Sequence, residues 1–274
     1  MSKKNRKLKI GIVGCGAIGS SLAKEILVNF SDSAELVALY DINPEKSSQL
    51  ARKLKKKNNL ASLQELIKRS DLVIESSSAK AAWEIVRQAL SGGSEVMAMS
   101  IGGLIGHAEQ LLKLSLKNNV RVYLPSGAIA GIDALKAANL SRIKKVILTT
   151  RKNPKAFCGV AYVENKFKLH NLKKDKVLFF GRARQAIKYF PQNINVAAIL
   201  ALAAVGVDKT QVKIVACPGV KKNIHEVLIE SEAANIFTRT ENVLHPQNPK
   251  TSYLAVLSAV ATLKQILWPI KVGA

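Results

Sequence analysis

The chain has 274 residues, of which 48% are apolar and only 5% aromatic, and it carries a formal net charge of +23. That size and apolar share support two modest cores rather than one large one, at roughly one domain per 150 residues. The basic residues cluster at 2–9, 52–57, 142–155 and 166–188 without aromatics interleaved for base stacking, a pattern that suits a solvated surface better than a nucleic-acid track.

Residues 7–13 (KLKIGIV) form a β-branched run and predict a first strand, followed by Gly14-Cys-Gly16-Ala-Ile-Gly19 and a helix over 20–30 with apolar residues at Leu22, Ile26 and Leu27. A second strand is expected at 35–40, ending at Asp41. Pro44 then opens a helix, as proline does at a first helical position. Further on, 63–68 reads as a helix, 72–75 as a strand, 79–90 as a helix, 95–100 as a strand, 108–117 as a helix and 120–124 as a strand. Strands alternating with helices specify an α/β doubly wound parallel sheet of Rossmann type.

After Pro125 the texture changes. Strands are expected at 144–151, 157–163, 177–181, 212–216 and 225–231, and helices at 183–189 and 195–204, which together make a second α+β domain. A long amphipathic helix is expected over 251–267. The predicted domains are 1–124, with 246–274 packing back on it, and 125–245.

No apolar stretch matches the ~18 residues of a membrane-spanning helix, since the best candidate, 196–207, has twelve. The basic start 1–7 leads into a run too short for a signal peptide, so a cytoplasmic protein is expected. Cys15, Cys158 and Cys217 are odd in number and unpaired in spacing, which argues against a disulfide framework or a cysteine metal site; they read as small buried hydrophobes.

The Gly14-x-Gly16-x-x-Gly19 loop lies between a predicted strand and a predicted helix, where it forms a dinucleotide site. Gly14 permits the turn, Gly16 lets backbone approach the pyrophosphate, Gly19 lets helix and strand pack, and Ala17 and Ile18 open the helix whose N–H groups face the phosphates. Asp41 follows Gly19 by 22 residues at the end of strand two, placed to accept hydrogen bonds from the adenosine ribose and to repel a 2′-phosphate. NAD is the expected cofactor, with NADP possible.

The motifs Ser126-Gly-Ala-Ile-Ala-Gly-Ile-Asp-Ala134, Phe190-Pro-Gln-Asn-Ile-Asn-Val196, Asn223-Ile-His-Glu226 and Asn248-Pro-Lys-Thr-Ser252 occur in order along the chain. With them the sequence resembles the L-aspartate dehydrogenase family over nearly its whole length. The resemblance implies a Rossmann domain, a second domain with the active site and dimer contacts, and a final helix returning to the first domain. It implies oxidation of L-aspartate to iminoaspartate, which can feed quinolinate and NAD synthesis or give oxaloacetate and ammonia. His225 matches the family's acid/base, and Ala128 and Asn195 match its NAD-binding positions. A histidine suits the task, because the substrate nitrogen must lose a proton before hydride leaves the α-carbon. Glu226, next along the strand, is expected to point to the opposite face.

Asn193 stands as a candidate for substrate binding or for a helix N-cap shared with Asn195. Lys250, Thr251 and Ser252, just before the last helix, are candidates for a carboxylate. Gly102-Gly103 reads either as a close approach to the nicotinamide ribose or as a plain turn.

The chain departs from the family at Ala216-Cys217-Pro218, where an acidic residue is expected, at 231–235, where a Gly-rich stretch is expected, and at Gly106-His107, where members often carry an acid. Two other readings share the architecture or the cofactor site: a reductase or dehydrogenase of the dihydrodipicolinate or homoserine type, and a non-catalytic cofactor-binding regulator with a basic surface. The expected partners are L-aspartate and a second copy of the chain, with no membrane and no nucleic acid.

Overall fold

The computed structural model describes residues 6–56, 59–190, 194–246 and 248–273, and at 194 and 248–250 the backbone only. The chain divides into two compact units, Met1–Pro125 with Ala259–Lys271, and Ser126–Ser258 with Val272–Ala274.

The first unit alternates strands and helices: β1 (Leu8–Val13), α1 (Ala17–Val28), β2 (Ala34–Tyr40), α2 (Pro44–Lys53), α3 (Leu63–Arg69), β3 (Leu72–Glu75), α4 (Ala79–Ser91), β4 (Glu95–Ala98), α5 (Ala108–Asn118) and β5 (Val122–Tyr123). The five strands are all parallel, in the order β2-β1-β3-β4-β5. The order reverses between β1 and β3, and their carboxyl ends form the crevice where a doubly wound sheet takes its ligand. Among the described residues the edge of β2 carries one isolated parallel bridge, Leu39 to Leu60.

Both faces of the sheet are covered, and its strands are accordingly almost wholly apolar. Ile10, Ile12 and Ile74 pack on one side with Leu22 and Ile26 of α1 and Leu50 of α2. Val13, Val73 and Val96 pack on the other with Leu66 of α3, Val86 of α4 and Leu111 of α5.

The second unit contains α6 (Ile132–Ala138), β6 (Ile143–Lys152), α7 (Ala161–Glu164), β7 (Lys176–Arg182), α8 (Ala183–Tyr189), α9 (Ile194–Ala203), β8 (Gln211–Ala216), β9 (Asn223–Ser231), β10 (Asn235–Asn242), β11 (Leu244–His245) and β12 (Asn248–Ser252). The last helix, α10 (Tyr253–Leu267), starts in this unit, and its Ala259 and Leu263 belong to the core of the first. β10-β9-β6-β8-β7 form a mixed sheet in which only β6 and β8 are parallel.

Alternation sets the two faces of this sheet. Val146, Leu148 and Thr150 of β6 and His225, Val227 and Ile229 of β9 are buried on one, while Ile147, Thr149 and Arg151 and Glu226 and Leu228 lie on the other.

Three expectations differ from the structure, and one strand has no counterpart among them. Residues 157–163 are no strand: a 3-10 turn at Pro154–Phe157 leads through Gly159, at φ +78°, into α7. Their aromatics enter a cluster instead, with Phe157 edge-on to Phe190 and Tyr162 stacked on Tyr189. Residues 248–252 are strand β12, so the final helix starts at Tyr253. The segment 246–258 accordingly lies in the second unit, where β12 pairs with β11. Finally, 235–242 form a full strand, β10, along the whole length of β9. Among the described residues no helix is long and apolar enough to cross a membrane.

Candidate active site

The glycine loop closes the carboxyl end of β1. Gly14 has φ +94°, and a Cβ there would stand 2.5 Å from the Ser76 carbonyl. A Cβ on Gly19 would fall 2.0 Å from the Gly14 carbonyl oxygen, so α1 approaches the loop as closely as backbone allows. Gly16 is different: nothing lies within 4 Å of the position its Cβ would take. Ala17 and Ile18 open α1, which has no side-chain cap and no acid in its first turn. An open, uncapped helix start over a glycine cradle fits a dinucleotide pyrophosphate.

Asp41 stands at the end of β2 and reaches the same loop. Its Oδ2 accepts the Cys15 backbone N–H at 2.8 Å, and its Oδ1 accepts that of Asn43 at 2.9 Å. Each carboxylate oxygen keeps acceptor capacity for a ribose hydroxyl. The buried Cys15 thiol is pushed up to about 12 by burial and by the Asp41 charge, so it stays protonated at neutral pH.

Glu75 ends β3 and is fully buried. Its Oε1 accepts from the Ser77 N–H at 2.8 Å and the Ser77 hydroxyl at 2.7 Å, and its Oε2 from the Ser100 N–H at 3.0 Å. One carboxylate thus ties down the loops after β3 and β4, and the lone acid in LVIE was its sequence signal. Gly102 and Gly103 lie in a 3-10 helix, Ile101–His107, where a Cβ on Gly103 would come 2.0 Å from the Ala79 carbonyl. Close packing on α4 therefore explains Gly103. His107 stacks on Trp83 with centroids 4.1 Å apart.

In the second unit His225 is buried near the start of β9, between Thr150 of β6 and Thr240 of β10 in register. Its Nδ1 lies 3.1 Å from Thr150 Oγ1. Burial, and secondarily the charge of Lys152, pushes its pKa down to about 3, so the ring is neutral across the physiological range. Lys152 extends β6 two residues beyond Thr150, on the same face, and burial lowers its ammonium to about 8. Glu226 points the other way and pairs with Arg151 (3.1 Å) and Arg239 on the open face.

Ala128 is buried, and its carbonyl is gripped twice, by Thr240 Oγ1 at 3.0 Å and Asn242 Nδ2 at 3.1 Å. Asn242 in turn accepts from Ser252 Oγ at 2.7 Å, and the Gly127 N–H donates to Ser258 Oγ at 3.1 Å. Gly127 itself has φ +69°. The motif residues 126–131, Asn242 and Ser252 are therefore one hydrogen-bonded unit.

The Ser252 proton is committed to Asn242, so in this arrangement it is not available to a substrate carboxylate; Ser252 ends β12, directly before α10. Thr251 is half-buried, and the Lys250 side chain lies outside the described residues, as does Asn193. Asn195 is exposed in the first turn of α9. Sequence reasoning missed Thr150, Lys152, Thr240 and Asn242, whose meaning depends on strand register.

The three thiols differ. Cys15 and Cys217 are buried, while Cys158 is exposed, contrary to its reading as a buried hydrophobe. Cys217 lies 3.9 Å from Arg151 Nη1, which also pairs with Asp175 at 3.1 Å. Asp175 thus brings a carboxylate to a position where Cys217 replaces the expected acid.

Two families match consecutive parts of the chain: "Homoserine dehydrogenase, NAD binding domain" over residues 14–125 and "Aspartate dehydrogenase, C-terminal" over 133–266. An L-aspartate dehydrogenase of Methanosarcina acetivorans is 46% identical over 97% of this chain and 99% of its own length. That of Methanocaldococcus jannaschii is 40% identical over the same shares. The crystal structure of aspartate dehydrogenase from Thermotoga maritima superposes with a TM-score of 0.72 at 26% identity, covering 98% of this chain and 100% of that one. A homoserine dehydrogenase from Thiobacillus denitrificans, at 14% identity and a TM-score of 0.62, shares the fold. Full-length identity at this level, together with a match across the unit that holds His225, makes the chain a member of the L-aspartate dehydrogenase family.

Proposed function

We propose that this protein oxidises L-aspartate to iminoaspartate with NAD(P), NAD being preferred. The observation that carries the reading is His225, a buried neutral imidazole oriented by Thr150 within the unit that the aspartate dehydrogenase family covers. Bound NAD(P) supplies the hydride acceptor for the α-carbon. His225 takes the proton that the substrate ammonium must lose, so that the nitrogen lone pair can form the C=N bond as hydride departs. With Nδ1 engaged by Thr150, Nε2 is the nitrogen assigned to the amine. Thr240 and Asn242 hold the Ala128 loop, whose backbone is assigned to the cofactor together with Asn195. Asn193, Lys250 and Thr251 remain the proposed polar lining for substrate.

The product is drawn into quinolinate formation in the cytoplasm or hydrolyses to oxaloacetate and ammonia. The active form is a homodimer. Supporting this, the open face of the mixed sheet exposes Phe180, Phe237 and Val177 around a shallow cavity of about 490 Å³, with Glu226 and Lys213 giving it both signs of charge. A two-fold copy can bury such a face against itself. Sedimentation of the parent and of Phe237→Lys tests this: a monomeric parent rules the dimer out.

The decisive assay follows absorbance at the NADH band with L-aspartate and NAD, against NADP and other amino acids. Aspartate-dependent NADH formation that disappears in His225→Ala establishes the reading. Turnover kept within a few-fold in that variant removes His225 from its role, and absence of aspartate turnover despite NAD binding removes the substrate.

A further inference from the structure

Strand register places one cation beside His225. β6 and β9 run antiparallel with Thr150 opposite His225, so Lys152 stands two residues further along the same face. β10 adds Thr240 opposite His225 and Asn242 opposite Asn223. Among these covered-face neighbours Lys152 alone is charged. On the open face Arg151, Glu226, Arg239 and Glu241 form a network of ion pairs.

We infer that Lys152 receives one carboxylate of the dicarboxylate substrate and fixes it next to His225. The inference rests on the aspartate reading above. It adds to Lys250 a second cation for that dianion, one placed by strand register beside His225. An ε-ammonium offers three donors and a compact charge, so a partly withdrawn one exchanges lost hydration for a carboxylate without needing the planar fork of arginine. Arg151 cannot take the role, because alternation sends it to Glu226 and Asp175.

The same contact ties substrate arrival to base strength. The Lys152 charge disfavours a proton on His225. Burial is the larger cause of the low His225 pKa and the Lys152 charge the smaller; a carboxylate docked on Lys152 offsets the smaller one, which shifts the imidazole toward accepting a proton when substrate is in place. Burial lowers the Lys152 ammonium to about 8, which leaves it mostly charged at neutral pH and able to bind the anion.

Succinate, a dicarboxylate with no amine to oxidise, is the probe. In Lys152→Met the KM for L-aspartate and the inhibition constant for succinate are expected to rise roughly ten- to hundred-fold, the loss of one charged hydrogen bond. The NAD dissociation constant and the thermal midpoint should stay at parental values, and Lys152→Arg should recover part of the succinate binding. If Lys152→Met is folded and binds NAD but keeps succinate inhibition and KM within about two-fold of the parent, the inference is overturned. Should the Met variant fail to fold, Lys152→Gln is read the same way. His225→Asn separates the two ideas: normal turnover there ends the proton-acceptor role, while succinate inhibition still reports on Lys152.

Discussion

The Asp41 carboxylate accepts the backbone N–H of Cys15 at 2.8 Å, so the end of β2 holds the middle of the glycine loop. One acid therefore shapes the loop and, in the proposed cofactor site, is the group assigned to the ribose of a dinucleotide.

Asp41→Asn keeps an acceptor for Cys15 and removes the charge. The KM for NAD is expected to rise about ten-fold, while that for NADP falls because the repulsion of a 2′-phosphate is gone. Initial rates with both cofactors check this, and an unchanged NAD-to-NADP ratio would show that Asp41 does not discriminate.

Gly16→Ala and Gly19→Ala separate binding from packing. At Gly16 the added methyl enters open space, so the thermal midpoint should hold while NAD affinity drops. At Gly19 it meets the Gly14 carbonyl at 2.0 Å and Ser76 Oγ at 2.7 Å, and stability should fall by about 1–3 kcal/mol. Calorimetry with and without NAD distinguishes the two. A Gly19→Ala protein as stable as the parent would contradict the close approach of α1.

Asn242→Ala removes the amide that links Ser252 to the Ala128 carbonyl inside the second unit. Leaving those buried groups short of a partner is expected to cost about 1–3 kcal/mol. Denaturant unfolding measures it, and NAD affinity should weaken as the Ala128 loop loosens.

The folded pKa of His225, about 3, lies below the ordinary histidine value of 6.5. Between those pH values the unfolded chain binds a proton that the folded chain refuses, so this group's contribution to stability is lost as pH falls from 6.5 toward 3. At pH 4.5 the loss is on the order of 2–3 kcal/mol. A neutral replacement, His225→Gln, should therefore show a flatter decline in thermal midpoint between pH 6.5 and 4.5, and parallel curves for the two proteins would refute the assignment.

The first unit was legible because β1 to β4 are largely apolar runs buried on both faces, and its helices carry their apolar residues at helical spacing. Asp41 and the three glycines could be placed by distance along the chain alone. β10 escaped because its inward residues Thr238, Thr240 and Asn242 are polar: they face the 128–131 loop, and Thr238 bonds the Ala130 carbonyl. The run 157–163 looked like a strand because its β-branched and aromatic residues suit one, yet they belong to an aromatic cluster around turns. Lys152 was hidden inside a basic stretch, since only pairing with β9 tells it apart from Lys144 or Lys155. His225 was found by its motif, whereas its orientation by Thr150 comes from a residue 75 positions away.

The unequal exposure of the three thiols gives the protein a built-in folding reporter. An alkylating reagent applied to the native chain meets Cys158 at the surface, while Cys15 and Cys217 are shut away in different units. Mass added per molecule thus registers opening: one label for the intact fold, a second at Cys15 when the cofactor-binding unit opens, or at Cys217 when its companion does. Peptide mapping of the labelled site then tells which half of the enzyme yields first, without any mutation or attached dye.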